Sequence, residues 1–182
     1  CRPPEIGHTR VLLSYHMRPL VVIPCYNAGP VLRRTVEDCL QFPGAVHDVL
    51  VVLDGCTDGC GDALAPLLED PRLRVIDYSP NRGKGHALLV AAEDAAGQGY
   101  THMLTIDSDG QHPASMIPDY LDEAAEHTGS VVCGVPIFDD DAPAARVQGR
   151  RISNALVRME TLGLGPDDVL FGMRCYPVDA FL

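Results

Sequence analysis

The chain has 182 residues, 46% of them hydrophobic and 21% charged, with a formal net charge of −11. That profile belongs to a globular domain long enough for one good core, and its acidity argues against a nucleic-acid partner, which must be held by Lys and Arg on phosphates. Nucleotides stay open because a divalent cation can supply positive charge; no run of 18 apolar residues suits a transmembrane helix, and no basic start with an apolar block reads as a signal peptide.

Residues 1–18 carry Pro3, Pro4 and Gly7 without a clear period and read as a lead-in to one domain over 19–182. Leu20–Ile23 is predicted as a strand, followed by a turn from Pro24 to Pro30 and a helix over 31–40, where Leu32, Val36, Cys39 and Leu40 keep a helical period. Val49–Leu53 is a second strand, closed by Asp54 and Gly55, and Leu73–Ile76 a third. The Ala- and Leu-rich stretch 84–98 predicts a helix ended by glycines, and Met103–Ile106 a fourth strand. Pro113 opens a helix over 114–127, since proline is tolerated in a first turn. Val131–Cys133 is a fifth strand, 136–148 a polar loop, and 150–162 a helix with Ile152, Leu156 and Met159 on one face. Strands that are apolar throughout, alternating with helices, imply an α/β fold: a Rossmann-like, mostly parallel sheet with helices on both faces.

The seven cysteines are odd in number and scattered at 1, 25, 39, 56, 60, 133 and 175. Cys56 and Cys60 form a C-x-x-x-C pair with no second pair to complete a zinc site, so the thiols are expected to be reduced, in a cytosolic setting.

In an open parallel sheet ligands bind beyond the carboxyl ends of the strands, and the polar motifs fall there. After the fourth strand comes Asp107-Ser108-Asp109-Gly110-Gln111-His112-Pro113. Asp107, Asp109 and Gln111 offer hard oxygens that converge if the chain turns at Gly110, a set suited to Mg²⁺ or Mn²⁺ holding a diphosphate. A solvated Asp-rich turn is the plain alternative. At the end of the second strand, Asp54 is expected to face the crevice and accept the ring N–H of uracil or guanine, while Asp58 serves equally well as a cap for a following helix. Asn81-Arg82-Gly83-Lys84-Gly85 lacks the spacing of a Walker loop, yet Lys84 at a helix start can meet a phosphate. Pro24, Tyr26 and Asn27, after the first strand, are expected to floor a nucleotide pocket through main-chain contacts.

These four segments, in this order, resemble the family 2 glycosyltransferases, which use the GT-A fold. Val21–Asn27 matches the family's opening strand and loop, Asn81–Leu88 its N-x-G-K-G-x-A-L, and Asp107–Pro113 its D-x-D-G-Q-H-x-P. Leu53–Gly59 stands where the family carries Asp-Asp-Gly-Ser-Thr-Asp-Gly, with Leu53 in place of the first Asp and Cys56 in place of Ser. Base recognition is therefore expected to rest on Asp54 alone. The D-x-D-G-Q-H form is most similar to the dolichyl- and polyprenyl-phosphate sugar synthases, and the run from Cys133 to Leu162 is similar to bacterial members associated with lipid and aryl-polyene pathways.

The resemblance implies an inverting transfer of a sugar from a UDP- or GDP-type nucleoside-diphosphate sugar, in cell envelope biosynthesis, to a lipid phosphate or lipid-linked hydroxyl. Asp107, Asp109 and Gln111 would hold the metal, and Lys84 and Arg174 would add positive charge around the phosphates. Arg174 lies in Asp168–Arg174, which resembles the family's D-x-x-x-G-F-R. Arg150 and Arg151 would meet anionic groups of donor or acceptor, as Arg forks do. With Asp109 and Asp168 they complete the expected catalytic set. A lipid phosphate is already anionic and needs no base; a hydroxyl acceptor would need Asp168 or its neighbour Asp167. The expected location is cytoplasmic, at the inner face of the membrane, through peripheral contact. The chain begins at Cys1 and stops at Leu182 in mid-pattern, so truncation on the acceptor side is expected. Two alternatives stand beside this reading: a nucleotide-sugar-binding module without turnover, and a sugar nucleotidylyltransferase, whose basic Gly-rich loop after the first strand is missing here.

Overall fold

The computed structural model describes residues 17–41, 47–135, 154 and 171–182. Among these, six strands form one sheet in the order β3-β2-β1-β4-β6-β5. The central strand β1 (Pro19–Cys25) is buried along its whole length and pairs in parallel with β2 (Asp48–Asp54) and β4 (His102–Thr105). Strand β3 (Leu73–Tyr78) extends the parallel array beyond β2.

Alternation along β1 sends its side chains to two cores. Val21, Ile23 and Cys25 join Val49, Val51 and Leu53 against helices α1 (Val31–Gln41) and α3 (Ile117–Glu126). Leu20 and Val22 join Leu50 and Val52 against α2 (Lys84–Gly97). Successive residues of a strand point to opposite faces, so a run apolar at every position requires cover on both sides. Burial of each such side chain contributes about 1.5–3 kcal/mol. Helix α2 meets the sheet through Ala87, Ala91, Ala92 and Ala95, all fully buried, and these small side chains let its backbone lie close to the strands.

The expected mostly parallel sheet with helices on both faces is the one observed. Two details differ. Strand β6 (Arg174–Pro177), unforeseen in the sequence, enters antiparallel between β4 and the short β5 (Val132–Cys133). Four residues that end in proline carry almost no periodic signal, and only the pairing partners define the strand. The crossover from β2 to β3 holds a 3₁₀ helix over Asp62–Leu67 that contains Pro66, where the sequence marked no helix bounds beyond a candidate cap at Asp58. A second 3₁₀ turn, Ala114–Met116, follows Pro113, so α3 proper starts three residues later than expected. The last element, α4 (Val178–Phe181), packs beside α2 through Val178.

The expected lead-in lies outside the described residues up to residue 16, as do the loop 136–148 and the side chains Arg150, Arg151 and Asp168. Of the expected helix over 150–162 only Asn154 is described, and it is helical. No helix among the described residues is long and apolar enough to cross a membrane.

Candidate active site

The carboxyl ends of β1, β2 and β4 open onto a cleft of about 420 Å³. Three loops wall it: Pro24–Tyr26 after β1, Asp54 with the Asn81–Lys84 segment, and Asp107–Asp109 after β4. The parallel register aligns these ends, since Cys25 is level with Leu53 and Val22 with Thr105.

Asp54 is 2% exposed although it lines the cleft. Its carboxylate accepts the Asn81 side-chain amide at 2.9 Å and the backbone N–H groups of Arg82 and Gly83, both at 2.7 Å. Burial by itself would raise its pKa. The Arg82 N–H, the nearby Tyr78 hydroxyl and the Gly83 N–H outweigh that effect and hold it below the ordinary carboxylate value. Both oxygens of the residue assigned to base recognition are thus engaged in shaping the loop that leads into α2. Gly55 allows the approach: a Cβ there would come within 2.9 Å of Asn81 Cα and Pro80 C.

Lys84 opens α2 and pairs with Asp107 across the cleft, beside the positive end of the helix. His112 Nε2 donates to the other Asp107 oxygen at 3.2 Å, and its ring meets the edge of Phe171 at 4.9 Å between centroids. The His112 hydrogen bond first, then Lys84, outweigh desolvation and lower the Asp107 pKa to about 2. Asp109 is exposed on the same wall and accepts the Gln111 backbone N–H at 3.0 Å, which folds the chain back at Gly110. Gln111 is itself exposed and lies outside the cleft wall.

Pro24 and Tyr26 line the cleft, and Tyr26 presents an exposed ring, 56% accessible. Asn27 sits beside them rather than in the wall. Its side-chain oxygen accepts the Thr57 N–H at 2.8 Å and ties the β1 loop to the β2 loop. Asp58 strengthens the same joint by accepting the N–H groups of Gly29 at 2.7 Å and Cys60 at 3.1 Å. Helix capping, the structural alternative for Asp58, is not its role, because the following 3₁₀ helix starts at Asp62 behind Gly61 without a side-chain cap. Arg174 Nε donates to the Phe171 carbonyl at 3.1 Å, and Arg174 is not part of the cleft wall.

Four contributors escaped sequence reasoning. Asn81 and His112 stand inside the motifs already singled out, and their role appears only when the loops meet. Gly172 packs against the Asp107 carboxylate, leaving no room for a Cβ, while Thr105 Oγ1 donates to the Gly172 carbonyl at 2.9 Å.

The cleft can therefore offer two carboxylates, an ammonium, a helix N-terminus and an exposed aromatic ring to one ligand. The chain is 29% identical over 175 residues to the undecaprenyl-phosphate 4-deoxy-4-formamido-L-arabinose transferase of Sodalis glossinidius, covering 89% of this chain and 50% of that protein. It is 31% identical over 167 residues to the polyprenol monophosphomannose synthase of Mycolicibacterium smegmatis, covering 87% of this chain and 61% of the relative. The chain thus spans about half to three fifths of these relatives' length.

A mannosyltransferase from Pyrobaculum calidifontis in complex with GDP-Man and Mn²⁺ superposes with a TM-score of 0.58 at 25% identity, over 69% of this chain and 37% of its own. The glucosyl-3-phosphoglycerate synthase of Mycobacterium tuberculosis shares the fold with a TM-score of 0.68 at 18% identity, over 92% of this chain and 59% of its own. The six-strand, mostly parallel sheet with helices on both faces is the GT-A fold of these neighbours. Since the model of "Glycosyl transferase family 2" matches residues 20–181, the chain belongs to that family.

Proposed function

We propose that this chain carries the donor site of an inverting glycosyltransferase that moves a sugar from a nucleoside-diphosphate sugar to a polyprenyl-type lipid phosphate, using Mg²⁺ or Mn²⁺. The observation that carries this reading is the meeting of Asp107, Asp109 and Lys84 in one cleft at the end of the parallel strands. The donor set fits the metal: carboxylate oxygens are the hard ligands that both ions prefer, and Asp107 stays ionised far into acid. Asp107 and Asp109 would hold the ion, and Gln111, exposed outside the cleft wall, would add an oxygen only by turning its side chain inward. When bound, such an ion stabilises the negative charge that builds on the diphosphate as the sugar–oxygen bond breaks.

The chain's own residues do the rest. Lys84 and the N-terminus of α2 direct positive charge at the same phosphates, where it acts without reorganisation. Tyr26 and Pro24 supply a flat apolar wall for the base, while Asp54 sets the position of Gly83 and Lys84 through the bonds described above. Asp109, exposed on the cleft wall, is assigned to the side of the reacting sugar. Arg150 and Arg151 receive the anionic acceptor, Arg174 adds charge nearby, and Asp168 is reserved for deprotonating a hydroxyl acceptor. Support for the lipid phosphate comes from the two relatives, whose names carry undecaprenyl phosphate and polyprenol monophosphomannose. Support for the metal comes from the mannosyltransferase crystallised with GDP-Man and Mn²⁺.

The test is a titration with UDP-, GDP- and dTDP-sugars with and without Mn²⁺, followed by transfer to polyprenyl phosphate and to the matching polyprenol. Expected are binding that needs the metal, loss of turnover in Asp109→Asn or after chelation, and transfer to the phosphate that survives Asp168→Asn. Binding without turnover and indifferent to Asp109→Asn would instead establish a binding module.

A further inference from the structure

The three cysteines nearest the cleft are not scattered in space. Cys25 ends β1, and Cys56 and Cys60 lie in the turn after β2, so the C-x-x-x-C pair that looked incomplete in sequence gains a third thiol from a neighbouring strand. The Cys25 sulfur is 3.7 Å from that of Cys60 and 3.9 Å from that of Cys56, and all three lie within 4.8 Å of one another. Ligands held about 2.3 Å from a tetrahedral ion are about 3.8 Å apart, so two edges of the triangle already have coordinating length. Cys25 and Cys60 are each 2% exposed, whereas Cys56 is only half-buried and gives an ion its way in.

The framework is built before any ion arrives. Asp58 accepts from Gly29 and Cys60, Asn27 accepts from Thr57, and the Asn27 N–H points at the Cys56 sulfur at 3.4 Å. Both loops that carry the thiols are thereby locked to each other. Burial pushes the Cys25 and Cys60 thiols up, so without a cation they stay protonated. A soft cation reverses that balance, because thiolates favour Zn²⁺ and Cu⁺ and a hard ion such as Mn²⁺ favours carboxylates.

We propose that Cys25, Cys56 and Cys60 bind one soft d¹⁰ metal ion, Zn²⁺ or Cu⁺, at a site chemically separate from Asp107 and Asp109. Three metal–sulfur bonds form, three S–H bonds break, and the three protons leave to solvent with no change of oxidation state. Cu⁺ is satisfied by three thiolates, and Zn²⁺ takes solvent as its fourth ligand, since no fourth side chain among the described residues joins the cluster. Cys25 also lines the cleft, so a bound ion braces the two loops that form its Pro24–Tyr26 and Asp54 walls.

The experiment uses the whole chain, metal-free and reduced with a phosphine. Co²⁺ is titrated as a probe, with thiolate-to-cobalt charge transfer as the readout, and Zn²⁺ and Cu⁺ are then added in separate arms against chromophoric chelators. Expected are a charge-transfer band saturating at one equivalent, displacement by Zn²⁺ or Cu⁺, release of more than one proton per ion, and no displacement by excess Mn²⁺. Cys56→Ser, at a half-buried position and with its fold checked by circular dichroism, should lose the band and weaken binding by more than the roughly 10–100-fold typical of losing an outer partner. Cys133→Ser should bind like the parent. An unchanged band in Cys56→Ser, displacement by Mn²⁺, or failure of all three ions to bind the parent would overturn the proposal. None of these readouts involves sugar transfer, so they stand or fall apart from the glycosyltransferase reading.

Discussion

Gly172 and the Asp107 carboxylate are in direct contact: a Cβ on Gly172 would overlap Asp107 Oδ2 and come within 2.7 Å of Asp107 Cγ. Thr105 fixes the contact from the other side by donating to the Gly172 and Arg174 carbonyls at 2.9 and 3.3 Å. The segment entering β6 is thus the back wall of the acidic motif that follows β4.

Gly172→Ala is expected to push the Asp107 carboxylate off its His112 and Lys84 partners. Overpacking at such a contact costs about 1–3 kcal/mol. Metal-dependent affinity for the nucleotide sugar should fall about tenfold or more, since each 1.4 kcal/mol is a factor of ten. Titration calorimetry against the parent, alongside a urea melt, separates lost binding from lost folding.

Asp54→Asn puts an amide where two backbone N–H groups now meet an anionic oxygen pair. Hydrogen bonds to a buried charge are worth about 1.5–3 kcal/mol, so a loss of about 2–3 kcal/mol is expected in urea denaturation. The 81–84 loop should loosen with it, seen as faster amide exchange at Arg82 and Gly83. A variant as stable as the parent with unchanged exchange would show that Asp54 does not shape this loop.

Acid should reveal the Asp107 cluster. Its folded pKa is depressed from 3.8 to about 2, by the His112 hydrogen bond first and by Lys84 next. The stabilisation is therefore complete above the ordinary carboxylate range and is lost as pH falls from about 4 towards 2. His112→Leu or Lys84→Met should bring the Asp107 titration back towards its ordinary value and shrink that acid-sensitive window. Carboxylate chemical shifts followed by NMR between pH 5 and pH 2 would measure both effects, and a titration identical to the parent's would refute the assigned cause.

Ala91→Leu tests how close α2 lies to the sheet. Ala91 is fully buried in the same core as Leu50 and Val52, and the larger side chain should destabilise the fold by about 1–3 kcal/mol. Substitution at Leu89, 39% exposed on the same helix, should change stability by less than about 0.5 kcal/mol. Thermal melts of both variants give the contrast.

Much of this protein was legible from residue pattern alone. Apolar runs such as Leu20–Ile23 and Val49–Leu53 have no solvent-facing side, which demanded a parallel sheet covered on both faces. The polar residues that follow those runs had to lie at one edge of the sheet, so Asp54, Lys84, Asp107 and Asp109 could be placed at one site before any coordinates. Arg150, Arg151 and Asp168 were named by motif and lie outside the described residues.

What tertiary structure decided is how those groups spend their hydrogen bonds. The order of motifs says that Asp54 is near the ligand; only the folded loops show its oxygens committed to Asn81, Arg82 and Gly83. A four-residue strand such as β6 is stabilised by its neighbours β4 and β5 rather than by its own pattern, so no local window reveals it or the contact of Gly172 with Asp107. The same holds for the thiols. Cys25 and Cys60 are 35 residues apart in sequence and 3.7 Å apart in space, because parallel pairing of β1 with β2 brings their carboxyl ends level. Periodicity along a chain reports which side of an element is buried, and pairing between elements is a long-range property that only the assembled sheet contains.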